Sequence, residues 1–315
     1  MPRVLHCFLL KYLGVYAAEL LLALAVISVT LPSIAVAAPV PAISNLLQDS
    51  SSPPPTTDLP VWLGADGKPL PFQNDEEIKE FLRTAPVVSM EKIPEGVTHP
   101  RKVLLEKDGM RMHAIFRDAN IFKRKWDSPS GRKLNFRDDA IFEGAAYELS
   151  KLLGLNNVPP TVRRKIEGKK GTLQVWIENA MTEETRQTNK VEPPDKRRWL
   201  LQHYVMWIFD NLIYNEDRNQ GNILIGSDWK MWLIDATRAF RTYRDLRNPE
   251  VIRYCERKLW ENLKKLDETV IKERLGEFLR SQEISTLVHR RNKLVEHIQK
   301  LIDQRGERAV LFTFK

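Results

Sequence analysis

Residues 215–225 read Asn-Glu-Asp-Arg-Asn-Gln-Gly-Asn-Ile-Leu-Ile, and a second apolar run beyond them ends at Asp235. Asp217 and Asn222 lie five positions apart in a polar loop that contains a glycine. The two apolar runs, separated by a Gly-Ser-Asp turn, predict a short hairpin with an acid at its exit. Phosphoryl transfer requires one carboxylate to accept the proton of the attacking hydroxyl and oxygen ligands to hold Mg²⁺. The stretch therefore offers Asp217 for the first task and Asn222 with Asp235 for the second.

This pattern resembles the atypical branch of the protein-kinase superfamily, which includes the phosphatidylinositol 3- and 4-kinases, the HipA-like bacterial kinases and the secretory-pathway kinases. In that branch the catalytic loop reads Asp-Arg-x-x-x-Asn, and the metal-binding strand exit reads Ile-Asp-x-x-x-Ala-Phe, as residues 217–222 and 234–240 do here. The resemblance implies that Asp217 orients the acceptor hydroxyl and that Asn222 and Asp235 bind Mg²⁺. Arg218 is expected to brace the loop by pairing with a nearby carboxylate or carbonyl. Residues 147–162 also resemble bacterial exported members of this branch.

Arg117 ends a predicted strand where this family has a lysine that binds the nucleotide phosphates and pairs with a helix glutamate. A guanidinium keeps the positive charge and binds phosphate in a bidentate manner, but it is bulkier than an ammonium group. This departure from the family pattern favours lower activity or a nucleotide-binding module. Lys123 and Lys125 are the alternative cations. Glu143, one turn into the following helix, is the expected partner, ahead of Glu148.

Two more positions are assigned to nucleotide binding by the resemblance alone. Glu178 lies where a kinase joins its two lobes and where the backbone would bind adenine. Gly96 is the one glycine at a suitable place for a phosphate-binding loop. A single glycine is a weak signal, because the full loop of this fold has several.

The order of the predicted elements indicates an α+β, two-lobed protein-kinase-like fold. A capped helix begins at residue 74 or 75, and Asp108-Gly109 between apolar runs predicts a hairpin. A helix over residues 140–153 precedes a second hairpin that turns at residues 168–171. We assign residues 61–181 to a β-rich N-lobe. Residues 182–315 form the predicted C-lobe, with a loop to Asp195, a helix over 196–214, three more helices within 249–304, and an edge strand or packed tail at 309–314.

The first 60 residues are predicted to lie outside this fold. Residues 1–37 combine a basic start, an apolar run and a small-x-small cleavage pattern, which predicts a signal peptide or an N-terminal anchor. Residues 38–60 are rich in proline and serine and predict an extended linker. The expected location is therefore outside the cytoplasm, periplasmic or extracellular. Cleavage would leave Cys255 as the remaining cysteine, so an intramolecular disulfide is excluded in the mature chain.

The composition allows a globular protein with anionic partners. The chain has 315 residues, a net charge of +8 and 43% hydrophobic residues. The basic balance suits a nucleotide, a phosphorylated lipid or a membrane surface, but the basic residues are scattered, which favours an ordinary solvated surface. No nucleic-acid-binding module is present. Neither a zinc-binding His/Cys pattern nor a Gly-x-Ser-x-Gly nucleophile motif occurs, which argues against those classes of enzyme.

The expected reaction is ATP- and Mg²⁺-dependent transfer of a phosphoryl group to a hydroxyl of a protein, a lipid or a small molecule. Two alternatives remain open. One is a pseudokinase that binds nucleotide without transfer, and the other is nucleotidyl transfer on the same fold. An exported enzyme also meets little ATP, so an anchored leader facing the cytoplasm or another phosphate donor stays open as well.

Overall fold

The computed structural model describes residues 61–94, 99–128 and 131–314. The predicted leader, the linker and Gly96 lie outside the described residues. Among the helices that are described, none is both long and apolar enough to cross a membrane.

A five-stranded antiparallel sheet forms the first half of the described chain, in the order β1-β2-β3-β7-β6. Two helices flank it, and a separate two-stranded ribbon leaves it after β3. In chain order these elements are α1 (Asp75–Thr84), β1 (Val87–Lys92), β2 (Arg101–Lys107), β3 (Met110–Arg117), β4 (Asn120–Ser128), β5 (Gly131–Asp139), α2 (Ile141–Leu152), β6 (Thr161–Ile166) and β7 (Lys169–Val175).

Backbone handedness explains both hairpins of the sheet. Asp108 and Gly109 have φ of 52° and 75°, the two positive values that a type I′ turn needs, so the predicted hairpin is confirmed. The second turn is shorter than predicted. It consists of Glu167 and Gly168, with φ of 49° and 79°. Residues 169–171 already belong to β7 and pair with β6. A two-residue turn matches the twist of the flanking strands better than the four-residue turn expected from the sequence.

The ribbon formed by β4 and β5 was not predicted. Eight ladder pairs join the strands, from Asn120 opposite Asp139 to Ser128 opposite Gly131. Most of β4 is exposed, including Ile121 and Phe122 at 41% and 54%. Because a strand exposed on both faces has no alternation of buried and polar residues, its sequence carries no periodic signal.

Helices dominate the second half, which begins with a small three-stranded sheet of order β10-β9-β8. Its elements are β8 (Met181–Thr182), α3 (Glu183–Thr188), α4 (Lys196–Ile213), β9 (Ile223–Ile225), β10 (Met231–Leu233), β11 (Cys255–Glu256), α5 (Arg257–Lys265), α6 (Glu268–Leu275), α7 (Ser281–Arg305), α8 (Glu307–Val310) and β12 (Leu311–Phe312).

Two expectations for this half were wrong. The segment before Asp195 is not a plain loop, because Met181 and Thr182 pair with β9 and the Thr182 hydroxyl caps α3. The first of the three predicted tail helices starts late, at Arg257, after a 3₁₀ turn at Pro249–Val251 and the strand β11. β12 pairs with β11 in parallel, so the terminal run is a strand. The division into lobes after Met181 stays a prediction.

Arg290 joins the long helix α7 to the elements that carry the polar loop. Its side chain is fully buried, and it donates hydrogen bonds to the carbonyls of Leu212, Arg241 and Tyr243 at 2.6–2.7 Å. Burial lowers the pKa of this guanidinium to about 10. The carbonyl oxygens satisfy a cation that would otherwise be costly to bury, and they hold the chain beyond Phe240 against the end of α4.

The close packing around Gly171 in β7 leads to a prediction about stability. A Cβ atom at Gly171 would lie 2.1 Å from the backbone oxygen of Arg117, which is fixed in the sheet. We expect Gly171→Ala to lower the free energy of unfolding in urea by roughly 1–3 kcal/mol, as overpacking does. The exposed neighbour in Lys170→Ala should change it by less than about 0.5 kcal/mol. Equal effects of the two substitutions would contradict the close approach.

Candidate active site

The polar loop after α4 is held by its own hydrogen bonds. Asn222 donates from Nδ2 to the carbonyl of Asp217 at 2.8 Å, and the Asp217 amide donates to Asn215 Oδ1 at 3.0 Å. Asn219 Oδ1 accepts from the amides of Gly221 and Asn222 at 2.9 and 3.1 Å. Since the amide nitrogen of Asn222 is engaged with the backbone, its carbonyl oxygen is the atom suited to a metal ion.

Arg218 connects three segments. Its Nε lies 3.1 Å from Asp210 Oδ2 at the end of α4, and Nη1 donates to the carbonyls of Asn222 and Ile234 at 2.6 and 2.7 Å. Asn222 is itself a predicted metal ligand, and Ile234 directly precedes the other one, Asp235. The expected bracing contacts with a carboxylate and a carbonyl are therefore present, and they fix Asn222 beside Asp235.

Asp235 has an unusual backbone conformation. Its φ is +56°, a left-handed value that is costly for most residues other than glycine and that is concentrated at functional sites. Its Oδ1 accepts a hydrogen bond from the Thr237 hydroxyl at 3.0 Å. The sharp turn directly after β10 projects this carboxylate at the end of the hairpin, as the spacing predicted.

The predicted ion pair between strand and helix is present. Arg117 Nε lies 3.6 Å from Glu143 Oε1, and the two side chains are 5% and 0% exposed. The Ala236 amide also donates to Glu143 Oε1 at 3.0 Å, and Gln174 Nε2 lies 3.3 Å from Oε2. Glu143 therefore ties the cation of β3 to the segment that carries Asp235.

The alternative residues lie elsewhere. Glu148 pairs with Lys79 at 3.4 Å and with Arg274, on a different part of α2. Lys123 and Lys125 are exposed on β4. The pairing favours Arg117 and Glu143, as expected, although their role in nucleotide binding stays a prediction.

The electrostatics of Glu143 suit an additional cation. Burial raises the pKa of its carboxyl, Arg117 opposes that shift, and repulsion from the Asp235 carboxylate raises the pKa further. Glu143 and Asp235 therefore repel each other, and the guanidiniums of Arg117 and Arg218 offset part of that repulsion. A divalent cation bound by Asp235 would offset the repulsion, and the oxygen ligands of Asp235 and Asn222 are those that Mg²⁺ prefers.

The segment after β7 holds Glu178 against the sheet. Its Oε1 lies 2.6 Å from His113 Nδ1 of β3, and the Trp176 amide donates to the His113 carbonyl at 3.1 Å. The carboxylate thus fixes the segment between the two halves. A role of Glu178 in binding nucleotide remains a prediction.

Sequence reasoning missed Arg238. Its Nη1 donates to Asp217 Oδ2 at 2.9 Å, and its Nε donates to Asp138 Oδ2 at 2.8 Å, where the ribbon ends. The Asp217 side chain is nevertheless 34% exposed, so an acceptor can reach it. The one available signal was the place of Arg238 three residues after Asp235. Its partner Asp138 lies 100 positions earlier in the chain, and no local pattern connects them.

Comparison with solved structures identifies the fold. Hydra Fam20 with sugar aligns with a TM-score of 0.58 and 15% identity over 77% of this chain and 94% of that one. The Golgi casein kinase aligns at 0.56 and 17%, over 75% and 77%. Its form with Mn/ADP bound aligns at 0.55 and 17%, over 75% and 78%. No protein-family model and no curated protein sequence matches the chain.

These likenesses, together with a sheet-rich first half and a helical second half, confirm the α+β, kinase-like fold. Because the sequence identity is so low, these similarities establish the fold of this chain but not its activity.

The buried ion pair between Arg218 and Asp210 leads to a prediction about stability that does not depend on the proposed function. Arg218→Gln leaves the Asp210 carboxylate, 12% exposed, without its ion pair. We expect the free energy of unfolding in urea to fall by roughly 3 kcal/mol, because an unpaired buried charge is expensive. Lys272→Gln breaks an exposed helix pair with Glu268 and should cost less than about 1 kcal/mol. A loss for Arg218→Gln no larger than that of this control would show that Arg218 does not hold the loop.

Proposed function

We propose that this protein is a metal-dependent phosphotransferase that moves a phosphoryl group from a nucleoside triphosphate, ATP in the first instance, to a hydroxyl. One observation carries the proposal: the Glu143 carboxylate contacts both Arg117 and the Ala236 amide next to Asp235. This contact joins the proposed phosphate-binding cation to the segment that carries the proposed metal ligand. Positioning of that kind is most of what catalysis of phosphoryl transfer requires.

Each residue has a distinct task in the proposed reaction. Arg117 binds phosphate oxygens of the nucleotide, while its buried pair with Glu143 fixes the guanidinium. Asp217 orients the acceptor hydroxyl and accepts its proton as the oxygen bonds to the γ-phosphorus. The bond from that phosphorus to the bridging oxygen breaks, and the nucleoside diphosphate leaves with the electron pair. Asn222 and Asp235 would hold Mg²⁺, which supplies charge neutralisation at the phosphates.

Arg238 is proposed to orient the base. Its guanidinium holds Oδ2 of Asp217 at 2.9 Å, so Oδ1, which has a longer contact of 3.4 Å with Asn219 Nδ2, faces the acceptor.

A second function, nucleotide binding without transfer, is favoured by the arginine at position 117. The bulkier guanidinium, 5% exposed and already engaged by Glu143 and Gln174, leaves less room to adjust to the phosphates than a lysine would. Substitution to lysine separates the two functions, since a gain in transfer would show a kinase site limited by its own arginine.

The acceptor and the location follow from weaker observations. We propose an acceptor hydroxyl on a protein, lipid or small molecule, and a location outside the cytoplasm. Support comes from the predicted leader, and from the fold shared with a casein kinase of the Golgi.

Asp235 tests the metal assignment. We expect Asp235→Ala to abolish the Mg²⁺-dependent part of ATP-analogue binding by the full chain, because it removes a charged ligand of the cation. Isothermal titration with and without Mg²⁺ measures it. Asp228→Ala, which removes an exposed aspartate from the turn of the same hairpin, should keep that dependence. Unchanged metal dependence in Asp235→Ala would refute the assignment.

Asp217 tests the transfer step. Asp217→Asn should bind nucleotide and metal nearly as the wild type does, since the carboxylate acts on the acceptor. Turnover of γ-labelled ATP, or labelling of the protein itself, should fall by roughly a hundredfold or more, the usual loss for a positioned base. Wild-type turnover in this variant would remove Asp217 from the mechanism. Absence of turnover in the wild type as well would favour the binding module.

A further inference from the structure

A polar cavity of about 770 Å³ is lined by none of the residues assigned to the candidate active site. Its walls are β6 and β7, the start of α2, the base of the β4–β5 ribbon, and the segment between α6 and α7. Two acids, Asp139 and Glu277, line it. The cations that line it are Arg137, Arg163, Arg164, Lys165, Lys170 and Arg280.

The sheet wall of this cavity carries a charge arrangement that opposes folding. Lys165 lies directly opposite Lys170 in the ladder between β6 and β7, and Arg163 lies opposite Thr172 on the same face. Like charges in facing positions of a ladder repel and destabilise the sheet. Within the described part of the chain, neither lysine has an ion pair or a side-chain hydrogen bond. Both are exposed to solvent in the cavity.

The opposite wall adds further positive potential. Arg280, exposed at the start of α7, also makes no side-chain ion pair with a described residue. Arg163 approaches the Glu277 carboxylate only to 3.9 Å, and both side chains are at least half exposed. The acids thus compensate little of the cationic charge, and an anion with several charged groups would relieve the repulsion on both walls.

We propose that this cavity binds a polyanion carrying two or more phosphate groups. Lysine and arginine side chains on two facing walls are suited to separate phosphates of one ligand, each through charge-assisted hydrogen bonds. One wall belongs to the sheet of the first half and the other to the helices of the second half. A bound ligand therefore links the two halves at a site that the transfer reaction does not use.

The cavity also adjoins the ion pair of the active site. Thr172, in its sheet wall, is the ladder partner of Arg117, and Ile141, at the start of α2, lies two residues before Glu143. A ligand that fixes β7 against α2 restrains the strand and the helix that carry this pair. The occupant would thus lie against the two elements that carry Arg117 and Glu143.

Inorganic tripolyphosphate is the probe for this site. Binding to the full chain is measured by isothermal titration in EDTA, so that the metal-dependent nucleotide site does not contribute. Arg163→Gln, Lys165→Gln and Lys170→Gln in one variant should weaken binding about tenfold or more, given the usual strength of hydrogen bonds between charged groups. The matched control carries Lys258→Gln, Lys264→Gln and Lys265→Gln on α5, and it should bind as the wild type does.

Equal weakening in the two triple variants would show a general charge effect and overturn the proposal. Sedimentation with vesicles that contain a multiply phosphorylated phosphoinositide determines the source of the phosphates. If the protein binds tripolyphosphate but not the vesicles, and only the cavity variant loses this binding, the ligand is a free polyphosphate. If it binds both, and only the cavity variant loses both, the ligand is a lipid headgroup. Wild-type protein that binds neither ligand would refute the site. These outcomes do not depend on transfer activity, because no nucleotide is present.

Discussion

The guanidinium of Arg218 is the constraint on which the arrangement of the site depends. It is 6% exposed, and it binds a helix carboxylate and two carbonyls from separate segments. Those carbonyls belong to Asn222, at the start of β9, and to Ile234, after β10. The hairpin ends that carry the two predicted metal ligands are thereby held at a fixed separation. Such a cation is costly to bury, and only its full set of acceptors makes it tolerable.

Glu143 is a second buried charged group that joins several segments of the site. One carboxylate accepts from Ala236 and pairs with Arg117, so the sheet, helix α2 and the segment after β10 share a single buried group. The raised pKa of Glu143 reflects its burial first and the nearby Asp235 carboxylate after that. The protein therefore holds two carboxylates close together where the proposed cation would bind. That is a stability cost typical of functional sites.

The sequence predicted those parts of the fold that obey a local rule. Asp108-Gly109 specified its turn, Asn74 and Gly154 bounded their helices, and the apolar periodicity of α4 gave its length within one residue. Asp217, Asn222 and Asp235 likewise lie close together in sequence, in the loop before the β9–β10 hairpin and at the two ends of that hairpin.

Features without a local rule were missed. The β4 strand of the ribbon is exposed along most of its length, and α3 is six residues long. Arg238 pairs with Asp138 across 100 residues, and Arg290 binds carbonyls up to 78 positions away. Both arginines look like surface charge in the sequence. Only the folded chain shows that one holds the proposed base and that the other is completely buried.

The central claim is that Asn222 and Asp235 form the metal site of a nucleotide-dependent transferase. A crystal structure of the protein with Mn²⁺ and a non-hydrolysable ATP analogue, with anomalous data recorded near the manganese edge, tests it most directly. The account predicts an anomalous peak within coordination distance of Asn222 Oδ1 and an Asp235 carboxylate oxygen, with nucleotide phosphates next to Arg117. Manganese or nucleotide bound elsewhere, with those side chains free, would contradict it.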